Sequence, residues 1–108
     1  MALITLAEAK EYLKVDSADE ENLINSLFLP SACRLCADVG RLTNEQWAQV
    51  NAEPTNDDGV ELKTLRSIMK VAVMYTVGYL FEHREKADHH DLDMTLRGLL
   101  FAVREGVY

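Results

Sequence analysis

The stretch "CRLC" sets Cys33 and Cys36 three residues apart. Two thiolates at that spacing can share a zinc ion or cycle through a disulfide, and His83, His89 and His90 hold imidazoles that would complete four ligands. Two features weigh against such chemistry. A second Cys-x-x-Cys is missing, and the pair lies inside an amphipathic helical stretch with no strand before it, unlike a thioredoxin-type site. Cysteine is among the most often buried residues, so a structural role accounts for both. The pair His89 and His90, flanked by Asp88 and Asp91, has the residue types of a metal cluster or a pH switch, yet a polar loop between helices explains it with less. There is no Gly-rich phosphate loop, nucleophile elbow or His-Glu-x-x-His pattern. The expectation is a protein that is not an enzyme, with no catalytic residue, cofactor or metal.

A chain of 108 residues with 48% apolar content is one domain, residues 1–108, with a modest core. Its net charge of −7 is unevenly placed. Residues 1–59 hold 4 basic and 11 acidic groups, whereas residues 60–108 hold 7 of each. An acidic N-terminal half disfavours nucleic-acid binding, which relies on Lys and Arg displacing counterions from phosphates. The most apolar run, Val71 to Phe81, is about half of the ~20 residues a membrane span needs. Met1 to Leu6 carries no basic and apolar targeting pattern, so the expectation is a protein made in the cytosol with reduced thiols.

These residues must be positioned by helices, because no stretch shows sustained alternation of apolar and polar residues. Thr5 with Glu8 and Ser17 with Glu20 have the spacing of capping boxes, and Leu6, Ala9 and Leu13 recur at helical spacing between them. The strip therefore reads as two helices joined by a short turn. Asp19, Glu20 and Glu21 put negative charge in the first turn of the second helix, where the macrodipole favours it. That helix is expected over Ala18 to Val39, with Leu23, Ile24, Leu27, Phe28, Leu35 and Val39 near one stripe and Gly40 as its cap. Pro30 must kink or split it. Thr43 and Gln46 start a short helix carrying Trp47, and "AEPTNDDG" is the clearest loop. Asp58 with Glu61 is expected to cap the longest helix, Val60 to Lys86. From Val71 to Phe81 that helix is apolar almost all round, which implies burial on several sides. Gly78 within it costs ~1 kcal/mol relative to alanine, and close approach of another helix would account for it. A final helix is expected from Leu92 to Arg104. The fold expected is all-α: a compact bundle of about four main helices and a short one, around a long central apolar helix.

The opening "MALITLAEAKEYLKVDSADEENLINSL" resembles the start of the small head-tail connector (adaptor) proteins of long-tailed bacteriophages. These begin with an apolar-Ile/Val-Thr-Leu-x-Glu-Ala-Lys-x-x-Leu-Lys/Arg-Val/Ile-Asp motif, matched here by Ile4, Thr5, Leu6, Glu8, Ala9, Lys10, Leu13, Lys14, Val15 and Asp16. Tyr79, Leu80, Arg84 and Glu85 are similar to the close of the family's apolar helix, and "LRGLLFAVR" resembles its closing Leu-Leu segment. The family's Leu-Pro-x-Gly lead-in to the last helix is absent, and Pro30 is atypical of its second helix. The resemblance implies a structural virion protein at the head-tail junction, made in the host bacterial cytoplasm. It would form a homo-oligomeric ring of about twelve copies between the phage portal and a tail or head-completion protein. DNA would leave through the ring without specific binding, and no membrane is involved. On that reading the candidates for the channel wall are Asp19, Glu20, Glu21, Asp57 and Asp58, and those for portal docking are Arg104, Glu105, Gly106, Val107 and Tyr108.

The alternative is a small helical regulatory or DNA-binding domain, suggested by the helix-turn-helix opening. Against it, Ala18 to Asn25 offers acids and amides but no Lys or Arg for a DNA groove.

Overall fold

Hydroxyl side chains at three-residue spacing start the first helices. The computed structural model describes residues 3–15, 17–83 and 90–106. In α1, Leu6–Leu13, the Thr5 hydroxyl accepts the Glu8 N–H at 3.2 Å while the Glu8 carboxylate accepts the Thr5 N–H at 3.1 Å. The same reciprocal pair joins Thr43 and Gln46 at the start of α4, Asn44–Asn51. In α2, Ala18–Leu23, only the hydroxyl arm forms, from Ser17 to the Glu20 N–H. The remaining helices are α3, Leu29–Val39; α5, Val60–Glu82; α6, His90–Leu99; and α7, Phe101–Glu105. Among the described residues there is no strand, and the fold is all-α.

The stretch expected as one helix over Ala18 to Val39 has three parts, because a π turn over Ile24–Phe28 separates α2 from α3. Pro30 falls in the first turn of α3, where its missing N–H and fixed φ fit. Ser26 donates its hydroxyl to the Asn22 carbonyl at 2.6 Å, giving that oxygen a partner where the backbone ladder is widened. The turn also changes which residues face inward. Ile24 and Phe28 are buried, whereas Leu23 and Leu27, expected on the same stripe, are exposed.

At the end of α3, Gly40 is the cap but keeps right-handed dihedrals, and Arg41 takes the left-handed conformation at φ 56°. The Arg41 and Leu42 N–H groups donate back to the Asp38 and Ala37 carbonyls, closing a Schellman turn. Glycine is needed at 40 for space: a Cβ there would lie 3.2 Å from the Cys36 carbonyl oxygen and 3.3 Å from Val103 Cγ1.

The cap expected from Asp58 does not form. α5 starts at Gly59 without a side-chain cap, and Asp58 turns instead to Thr55 and Arg66. The last helix begins at His90 and breaks at Leu100, where φ is −101° and ψ 11°, so α7 is a separate segment. Residues Arg84 to Lys86, placed by the sequence in the long helix, lie outside the described residues.

The core forms where α3 and the π turn meet α5. It joins Ile24, Phe28, Ala32 and Cys36 to Met69, Ala72, Val73 and Val77, with Leu92, Leu96 and Leu100 closing over them. Phe28 and Phe81 meet edge to face at 6.2 Å. The chain measures 38 × 30 × 20 Å, with α1, α3, α4, α6 and the π turn all packed against α5. α1 packs across α5, and a Cβ on Gly78 would lie 3.0 Å from the end of the exposed Tyr12 ring, a close approach that a turn of that side chain would relieve. Burial of α5 on several sides is only partly realised. Ala72, Val73, Thr76 and Val77 are buried, but Val71 is 61% exposed and Tyr75 is 39% exposed.

Candidate functional site

The acidic candidates fall into two groups. Asp19 is exposed and Glu20 half-buried in the first turn of α2, and neither forms an ion pair among the described residues. Glu21 differs, since Lys10 of α1 reaches its carboxylate at 2.8 Å and ties the two short helices together. In the loop, Asp57 is exposed, whereas the Asp58 side chain is only 12% exposed. Asp58 accepts from the Thr55 N–H at 3.0 Å and from Arg66 at 2.8 Å. Those donors, the Thr55 amide first and Arg66 next, hold its carboxyl below the usual range. Arg66 also donates to the Gln49 and Val50 carbonyls, so one guanidinium links the end of α4, the loop and α5. Asp58 thus adds little net charge to the surface, unlike Asp19, Glu20 and Asp57.

At the other end of the chain, Arg104 and Glu105 belong to α7, and Gly106 closes it at φ 72°. Val107 and Tyr108, also assigned to docking, lie outside the described residues. Arg104 lines a cleft of about 250 Å³ with Asp38, Val39, Arg41, Asp93 and Arg97. Composition alone did not single out this cleft, because its three arginines come from separate segments of a balanced or acidic sequence.

A second cleft is almost wholly apolar. Ser67, Ile68 and Val71 of α5 and Leu99 of α6 line about 290 Å³. Val60, Tyr75, Met94 and Phe101 are further exposed apolar side chains on α5, α6 and α7. On the α1–α2 side, Tyr12, Leu23 and Leu27 are exposed as well.

The cysteines sit differently from each other. Cys36 is fully buried, with its sulfur 3.3 Å from Thr76 Oγ1. Thr76 donates its own proton to the Ala72 carbonyl at 2.8 Å, so the Cys36 thiol is the donor to Thr76. Burial pushes that thiol up to about 11 and raises Cys33 too, which makes both poor thiolate sources at neutral pH. Cys33 is half-buried and lines a surface cleft with Pro30 and Trp47. His83 is held at the end of α5, stacked on Tyr79 at 4.2 Å, and His90 opens α6. Among the described residues no three His, Cys, Asp or Glu side chains cluster as metal ligands; Asp88 and His89 lie outside them. Also among the described residues, no helix is long and apolar enough to cross a membrane.

No known protein family, characterised protein or solved structure matches the chain.

Proposed function

We propose that the chain is a ring-forming adaptor at a phage head-tail junction, joining portal to tail components around the DNA exit channel. The observation that supports this most is the apolar surface left open by the monomer: the Ile68, Val71 and Leu99 cleft of α5 and α6, and Leu23 and Leu27 of α2 and the π turn. Exposed apolar surface clustered in a cleft suits an interaction face, and a second group of exposed apolar side chains suits a heterologous contact that repeats and closes. The opening motif adds to it. Thr5 and Glu8, both motif residues, cap a helix of eight residues that packs onto α5, and Lys10 of the same motif pairs with Glu21. A helix that short is marginal alone, and partners that cover its outer side would steady it.

On this reading Asp57 contributes negative charge near the channel, while Asp19 and Glu20 lie at the border between subunits. The pairs made by Glu21 and Asp58 mute their share. A wall that binds phosphates weakly lets a polyanion pass. The segment from Glu105 to Tyr108 docks on the portal.

Sedimentation velocity across a concentration series, with electron microscopy of the fast species, tests the proposal. The expected result is an equilibrium between monomer and annular particles that shifts toward rings with concentration. A single monomeric species at high concentration and moderate salt overturns it. Deleting residues 105 to 108 should leave rings intact and abolish portal binding; unchanged binding removes the docking assignment.

A further inference from the structure

We infer that the arginine cleft between the end of α3 and α6–α7 is a carboxylate socket, and that its occupant is the acidic start of α2 from a second copy of this chain. The inference rests on the ring reading for the existence of a neighbour, and on the cleft for which residues meet.

Both acids in the cleft already have cations: Asp93 accepts from Arg97 at 2.9 Å, and Asp38 accepts from Arg34 at 3.2 Å. Arg41 and Arg104 have no carboxylate partner among the described residues. Two uncompensated guanidinium groups therefore share one concavity on a chain of net charge −7. Arg41 is placed there by a left-handed residue, a conformation glycine adopts without strain. Guanidinium forks match carboxylates in two-point contacts, which makes an acidic side chain the fitting ligand class.

The matching acids are Asp19 and Glu20, which lack ion pairs among the described residues, whereas Glu21 and Asp58 are engaged within the subunit. Asp19, Leu23 and Leu27 follow at four-residue spacing, so exposed leucines lie beside the acids. The tip and the socket thus carry charge of opposite sign. The contact is head to tail, the kind that closes into a ring.

Two charge-reversed variants test it: R41E/R104E, with an acidic socket and acidic tip, and D19K/E20K, with a basic socket and basic tip. Sedimentation equilibrium at low salt should show each alone associating at least about tenfold more weakly than wild type. Mixed one to one, the variants should recover association, because every socket then meets a tip of opposite charge. Circular dichroism establishes that each variant folds, and R41A/R104A replaces the first if it does not, with weakened association expected alone and pairwise association recovered on mixing, because its native tip meets the native socket of D19K/E20K. If wild type assembles and the variants assemble equally well, or if mixing the folded reversals restores nothing, the socket is overturned while the ring stands. If wild type stays monomeric at every concentration, the ring reading fails and the socket with it.

Discussion

Gly40→Ala and Arg41→Gly should shift stability in opposite directions, because the two residues at the end of α3 carry different constraints. At Gly40 the dihedrals, φ −75° and ψ −7°, are ones alanine adopts freely, so backbone freedom is not at issue. An added methyl would meet the Cys36 carbonyl oxygen at 3.2 Å and Val103 Cγ1 at 3.3 Å. The carbonyl is held in α3 and accepts the Gly40 N–H at 2.9 Å, so it has little room to yield; Val103, in the five-residue α7, gives more. Overpacking of this kind costs about 1–3 kcal/mol, and the lower unfolded-state entropy of alanine offsets about 0.4–1 of it. The expected net loss is about 1 kcal/mol. Arg41 sits at φ 56°, a conformation that costs a non-glycine residue about 1–2 kcal/mol. Glycine there removes that cost and adds unfolded-state freedom, for a net gain of about 0.5–1 kcal/mol. The variants should therefore lie about 1.5–2 kcal/mol apart, on the order of 10 °C in Tm for a domain this small. Urea unfolding at low protein concentration, with m unchanged, gives the comparison free of assembly. A neutral Gly40→Ala together with a destabilising Arg41→Gly would refute the reasoning: position 40 would then need no space, and the Arg41 side chain would hold the fold.

Three further outcomes are expected. Glu8 is held below the usual carboxylate range by the Lys70 ammonium first and the Thr5 N–H next, and Asp58 by Thr55 and Arg66. A depressed folded pKa gives stability that is full above the unfolded values of 4.5 and 3.8 and lost as pH falls through the folded ones, so Tm should drop below about pH 4.5 and Glu8→Gln with Asp58→Asn should flatten that drop. An acid limb as steep in the double variant would exclude these two groups as its source. Leu96, fully buried between α3 and α5, should cost about 2–5 kcal/mol when cut to alanine, read by urea unfolding; a loss under ~1 kcal/mol would mean the C-terminal helices do not close the core. Alkylation at pH 8 followed by mass spectrometry should label Cys33 well before Cys36, whose thiol is fully buried and pushed up to about 11; equal labelling of folded protein would contradict that placement.

What the sequence made legible is what neighbours three or four residues apart decide. Thr5 with Glu8 and Thr43 with Gln46 are complete local devices, and both helix starts fall where those pairs put them. Asp58 with Glu61 has the same spacing, but Arg66 eight residues on and Thr55 three before compete for the carboxylate and win it. That outcome depends on α4 and α5 lying side by side, which spacing does not encode. The apolar run Val71 to Phe81 shows which residues would accept burial, not which have a neighbour, and Val71 and Tyr75 are left exposed. Gly40 drew the turn assignment to itself because glycine is the usual left-handed residue, while Arg41 took that conformation. Of the candidate site, the acids of α2 were readable as a charge cluster; the arginine cleft was not, since Arg41, Arg97 and Arg104 converge only through tertiary packing.

The π turn at Ile24–Phe28 acts as a phase shifter in the longest helical run of the N-terminal half. It holds one residue more than an α-helical path would, so α2 is rotated about the common axis by about 100° relative to the register that α3 alone would impose. Ala32 and Cys36 stay fixed on the core while Asp19, Leu23 and Leu27 are aimed elsewhere. A single-residue deletion within 24–28 would swing Asp19 and Leu23 around the axis without altering either of them. The direction in which α2 presents Asp19 and Glu20 is therefore set by chain length over five residues, separately from the identity of those side chains.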